Sequence, residues 1–233
     1  MTAANLKQDV ELPSLVRIDA VATRERIVSA AERLFAERGI DATTLLQINK
    51  TANQRNRSAV QYHFGNKAGV IHAILDKHTP SIEGRRNAML DEIESGGHPS
   101  LRDFAEALVL PIAEKLDDPD GGLAFLRINA QLVGHPRFSL LALHSQRLNR
   151  GTDRLNQLIA ANAPDWPAPL RKPRWLLLIG LLFHGLADYA HLLEADQTSD
   201  EAPPRGLFVN NLVDSVIAIL EAPVSTKTAS QLR

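Results

Sequence analysis

Between Arg55 and Lys67 the chain gathers Arg55, Asn56, Arg57, Ser58, Gln61, Tyr62, His63 and Lys67 without a single carboxylate among them. Each of these side chains suits a polyanion. An arginine fork matches guanine or phosphate, a glutamine amide can pair bidentately with adenine, and hydroxyl or imidazole groups donate to phosphate oxygens. If 56–64 is helical, Ala59, Val60 and Phe64 form an inner face and the polar groups point outward. The acid-free window is wider than this cluster, extending from Asp41 to Asp76 and also holding Lys50. A solvated surface helix can be basic too, but it has no reason to sit inside so long a stretch free of self-made repulsion.

A second cluster could hold a metal: His184, Asp188 and His191 recur at i, i+4 and i+7, on one face of a helix. It stands alone. The chain has no HExxH pattern, no phosphate-binding glycine loop, no nucleophile elbow and no cysteine. An enzyme is therefore disfavoured and no cofactor is expected; a metal-dependent helical enzyme or a protein-binding helical module remain the alternatives. A third group could line an apolar pocket. Its candidates are Phe104, Leu108, Phe125, Phe138, Trp175 and Phe183, with Asn129, His144 or His184 as polar anchors. Arg171, Lys172 and Arg174 either hold the phosphates of an acyl-CoA or form a solvated helix start.

These residues need helices to position them, and the sequence supplies little else. Runs alternating with period two are rare, so the chain reads as all-α. Thr23 is placed to cap a first helix that buries Ile27, Ala31, Leu34 and Phe35 and stops at Gly39. Thr44 and Gln47 have capping-box spacing and open a second helix to about Ala52. After a turn, Asn56 can cap a third helix through Phe64, and Gly65-Asn66 closes it and starts a fourth at Lys67. Thr44 and Lys67 thus sit at helix starts that attract phosphate, and a phosphate would relieve the repulsion between Lys67 and the helix dipole. Beyond Pro80, glycine and proline clusters bracket helices at about 100–116, 122–133, 136–162, 172–195 and 205–221, the first kinked at Pro111.

The domains expected are a flexible tail at 1–22, a helix-turn-helix domain at 23–78, a larger helical domain at 79–222 and a tail at 223–233. Charge divides the same way: 23–78 carries nine basic residues against five acids, and 79–222 carries thirteen against nineteen. A net charge of −1 for 233 residues conceals a basic head and an acidic body. The absence of cysteine and the charged N-terminal residues point to the cytoplasm, without a signal peptide or membrane span. The apolar run from Trp175 to Leu186 is too short to cross a bilayer and reads as a buried helix.

From Thr23 to Leu75, the segment TRERIVSAAERLFAERGIDATT followed by AVQYHFGNKAGVIHAIL resembles the DNA-binding region of TetR/AcrR family regulators, with Tyr62-His63-Phe64-Gly65-Asn66-Lys67 as its hallmark. The resemblance implies that Thr44, Tyr62, His63 and Lys67 contact phosphates and that Arg55, Arg57, Ser58 and Gln61 lie nearest the bases. It further implies a C-terminal pocket for a small, largely apolar effector and a homodimer through the last two helices. The expected function is a repressor that binds a palindromic double-stranded operator and is released by that effector. Asn53 stands where the family has the turn glycine and is the next-best residue for a left-handed conformation, Asn49 replaces a small residue, and Gln61 replaces a common aromatic.

Overall fold

The computed structural model describes residues 12–140, 143, 150–162, 166–195 and 202–232, and among these it contains helices and no strand. In chain order they are α1 (Leu12–Arg38), α2 (Leu45–Thr51), α3 (Ala59–Phe64), α4 (Lys67–Gly96), α5 (Leu101–Ala113), a 3-10 turn (Glu114–Asp117), α6 (Gly122–Val133), α7 (Arg150–Asn162), α8 (Ala168–Ala195), α9 (Arg205–Glu221) and the short α10 (Thr226–Ala229). They fall into two compact units that divide between Ile74 and Leu75, inside α4 and four residues before the boundary expected from the sequence.

In the first unit α1 packs on α2 and α2 on α3. The apolar positions of α1 repeat at helical spacing, and Ile27, Ala31, Leu34 and Phe35 are buried together with Ile40, Ile48, Val60, Val70, Ile71 and Ile74. Each large member of this set contributes about 1.5–3 kcal/mol. α1 begins eleven residues before the expected cap at Thr23, whose hydroxyl instead accepts from Arg26 Nη2 at 2.9 Å. No breaker lies between Pro13 and Thr23, and proline is tolerated in a first turn, so the helix has no reason to wait.

In the second unit α6 packs on α8, α5 on α7 and α9, and α8 on α9. Helix α8 is long and apolar enough to cross a membrane by length and composition. Here it buries Leu178, Leu182, Phe183, Leu186, Ala187, Tyr189 and Ala190. The Tyr189 ring stacks on Phe208 of α9 at 4.1 Å, its hydroxyl donates to the Pro203 carbonyl at 2.8 Å, and Trp166 Nε1 donates to the Leu220 carbonyl at 3.1 Å.

Other departures from the expected elements share one cause, tertiary packing or a side-chain cap overriding a local signal. Pro80 lies inside α4, which continues to Gly96. Interior proline costs a helix about 3 kcal/mol, which is offset by Ile82, Met89 and Leu90, all buried on the turns that follow. Pro111 falls in the last turn of α5, after which the chain tightens into the 3-10 turn. The helix expected from Pro136 is absent at its start, because His135 Nδ1 accepts from the amides of Arg137 and Phe138, both at 3.1 Å, and holds a turn there. In place of a flexible end, Ser225 caps α10 through a bond from Thr228 N to its hydroxyl at 3.2 Å.

Candidate functional site

Helix α2 is anchored at its start by the capping box read from the sequence. Gln47 N donates to Thr44 Oγ1 at 3.2 Å, and Thr44 N donates back to Gln47 Oε1 at 2.7 Å. At its other end Asn53 adopts φ 52°, the left-handed geometry that turns the chain towards α3. Asn49 then ties the two helices together. Its Nδ2 donates to the Asn56 carbonyl at 2.6 Å and its Oδ1 accepts from Val60 N at 3.3 Å, with the side chain buried. The residue that looked like a departure from a small-residue position is thus a clamp that fixes where α3 begins.

That beginning is Ala59, three residues later than Asn56 capping would give. Asn56 makes a local turn instead, its Oδ1 accepting from Ser58 N at 3.0 Å and Ser58 Oγ at 2.8 Å. Ala59 and Val60 face the core, while Arg55, Asn56, Arg57, Ser58, Gln61 and Tyr62 are exposed, Tyr62 by 83%. His63 is half-buried beside the Tyr62 ring at 5.1 Å. Thr44 is exposed at the start of α2. Neither Arg55, Arg57 nor Gln61 uses its side chain in a hydrogen bond among the described residues, so their donors are available to an outside acceptor.

Two basic residues also brace the frame. Lys67 Nζ, placed by the spacing at a helix start that attracts phosphate, donates to the carbonyls of Ile40 and Asp41 at 2.7 and 3.3 Å, partners that lessen the conflict with the α4 dipole. Arg24, which the sequence reading passed over, donates to the His63 carbonyl at 3.2 Å and lies 4.5 Å above the Phe64 ring. Neither partner was legible locally, being 27 and 39 residues away. Gly69 permits the close meeting of α3 and α4: a Cβ there would stand 1.9 Å from the Phe64 carbonyl oxygen.

The second unit encloses a cavity of about 360 Å³. Of the nine pocket candidates, Leu108, Phe125, Asn129, Trp175 and Phe183 line it. Phe104 is wholly buried away from the lining, Phe138 rests on His135 with ring centroids 4.9 Å apart, and His184 is exposed on α8. His144 lies outside the described residues. The sequence reading missed the polar wall made by Glu83, Arg86 and Thr152. Thr152 Oγ1 donates to Glu83 Oε1 at 2.8 Å, the amides of Gly151 and Thr152 donate to Glu83 Oε2 at 2.8 and 3.1 Å, and Arg86 Nη1 pairs with Glu83 and reaches Thr152 Oγ1 at 2.8 Å. Burial lowers the Arg86 pKa from its ordinary value, against the pull of Glu83.

The basic group at 171–174 does not reach the cavity. Arg171 Nε donates to the Trp166 carbonyl at 3.2 Å and the Arg174 guanidinium lies 4.9 Å over the Trp166 ring. His184, Asp188 and His191 share an exposed stretch of α8, and no cluster of three histidines or carboxylates among the described residues has metal-holding geometry.

Residues 27–74 match the family described as bacterial regulatory proteins, tetR family. The chain is 38% identical over 81 residues to the HTH-type transcriptional regulator TtgR of Pseudomonas putida, covering 34% of this chain and 38% of that protein. It is 33% identical over 105 residues to TtgW of the same species, an uncharacterized HTH-type transcriptional regulator, covering 39% of this chain and 75% of that protein. A solved TetR-family regulator from Streptomyces coelicolor aligns over 93% of this chain and 99% of its own, at 19% identity and a TM-score of 0.45. The chain spans about four-tenths of TtgR's length.

Proposed function

The chain belongs to the TetR family of bacterial transcriptional regulators, a family of regulators rather than enzymes, and from that premise we propose a cytoplasmic, dimeric repressor that binds a palindromic operator and leaves it when a small, largely apolar effector fills the cavity. One observation carries the proposal. The short helix α3 is fixed from within by Asn49, Ala59 and Val60; Arg57 in the turn before it and Gln61 and Tyr62 on the helix are exposed, in a segment free of carboxylates. That is the chemistry of a helix seated in a major groove.

Dimerisation is supported by the leucines left uncovered on the last two long helices: Leu176, Leu177 and Leu192 of α8 and Leu207 of α9 are 40%, 64%, 44% and 63% exposed. A second copy would cover them and set two recognition helices about 34–36 Å apart. An effector that favours another spacing then weakens operator binding by its differential affinity, typically about 1–3 kcal/mol. A protein that holds DNA when empty and leaves it when loaded acts by occupying the site, hence repression.

The test is binding to DNA fragments selected from the genome, titrated with salt. About 6–10 phosphate contacts per dimer predict a loss of roughly 10³–10⁵ in affinity between 50 and 200 mM. A flat response sinks the reading. Gln61→Ala should relax base preference at one position by about 1–3 kcal/mol, whereas Lys50→Ala should weaken all sequences alike.

A further inference from the structure

Among the described residues that line the cavity, one holds a buried polar atom with nothing to bond. Asn129 of α6 lines it and is wholly buried; its Nδ2 donates to the Phe125 carbonyl at 2.8 Å, while its Oδ1 has no partner. The orientation of the amide follows from chemistry, since the reverse would set two carbonyl oxygens against each other. A buried acceptor without a donor is costly, and a ligand that supplies the donor recovers that cost.

The rest of the lining narrows the choice. Glu83 is matched by Arg86 and by three further donors, so the pair offers a ligand no uncompensated charge. Asp153 and Asn156, also in the lining, are exposed, and the Asp153 carboxylate opposes an anion. Phe125, Trp175 and Phe183 give flat apolar walls to a space at the small end of the usual pocket range of about 300–1,000 Å³. We propose that the cavity takes a neutral, mainly apolar, ring-bearing molecule that donates one O–H or N–H hydrogen bond to Asn129 Oδ1. This deepens, and rests on, the reading of the cavity as the effector site.

Three probes of nearly equal shape test it by calorimetry on the full chain: 4-propylphenol, its methyl ether 4-propylanisole, and 4-propylbenzoate. The ether is the more apolar, so a merely greasy cavity prefers it. The proposal requires the phenol to bind about tenfold or more tighter than the ether, with the benzoate weakest. Asn129→Leu should bind the ether at least as well as the parent and bring phenol and ether within about twofold of each other. Its helix keeps the Phe125 carbonyl satisfied through the backbone bond from residue 129, and Asn129→Val is a second variant should leucine not fit.

Equal or reversed affinities for phenol and ether in the parent chain, tightest binding of the benzoate, or no binding of any probe would overturn the assignment. So would a phenol preference that survives in a folded variant lacking the amide. Release of operator DNA is measured separately. Donor-selective binding without release supports the Asn129 assignment and refutes the effector reading, whereas release by both probes alike does the reverse.

Discussion

The two units use buried polar groups in opposite ways. In the first, such groups bond to nearby backbone: Thr43 Oγ1 donates to the Leu34 and Gly39 carbonyls at 3.2 and 2.9 Å, and Asn49 joins α2 to the start of α3. They fix the frame, and the donors left over are on the surface. In the second, Glu83 and Arg86 meet Thr152 across more than sixty residues, and among the described residues that line the cavity a buried acceptor, Asn129 Oδ1, is left over. The difference teaches what each unit can recognise. A unit with spare donors outside can meet a large polyanion, and a unit with a spare acceptor inside can meet only a molecule small enough to enter.

The comparison is most severely tested at Arg86. Arg86→Ala leaves the half-buried Glu83 carboxylate without its counter-charge and should cost about 3 kcal/mol in urea unfolding; a loss below 1 kcal/mol would show that the wall is already wet. Next comes Asn49→Ala, which orphans Val60 N and removes the bond to the Asn56 carbonyl, for an expected loss of about 1–3 kcal/mol and a drop in helical signal from the head. Smaller is the effect at Asp103, which completes a capping box with Ser100 at the start of α5. The Ser100 hydroxyl and amide donate to it and hold its pKa below the ordinary aspartate value. Its stabilisation is therefore present at neutral pH and fades as pH falls below about 4 towards the lowered folded value. Asp103→Asn should remove about 0.3–1 kcal/mol at pH 7 and flatten that part of the acid-unfolding curve. The smallest change is expected at the exposed donors: Arg57→Ala and Gln61→Ala should leave the melting free energy within about 0.5 kcal/mol, however much they alter DNA binding.

The head was legible because its signals are local. Thr44 and Gln47 are three residues apart, Asn53 announces a left-handed turn by its type, and the lack of acid between Asp41 and Asp76 needs only counting. What escaped were partners far along the chain: Lys67 with Ile40, Arg24 with His63 and Glu83 with Thr152. The cavity was half legible for a related reason. Apolarity says that Phe104 and Phe125 are both inside, but not that one faces solid core and the other an open space. Pro80 sits within a helix because its local cost is outweighed by packing that only the assembled helices provide.

Gly69 has a consequence for anyone wishing to harden this protein. Replacing a helical glycine with alanine ordinarily stabilises by narrowing the unfolded ensemble, and Gly84, with open space around the position of a Cβ, invites that change. At Gly69 the same substitution would drive a methyl group into the Phe64 carbonyl and lever α3, the helix proposed to enter the groove, off its seat. A thermostability screen that ignored DNA affinity could therefore reward the first exchange while the second silently traded recognition for nothing.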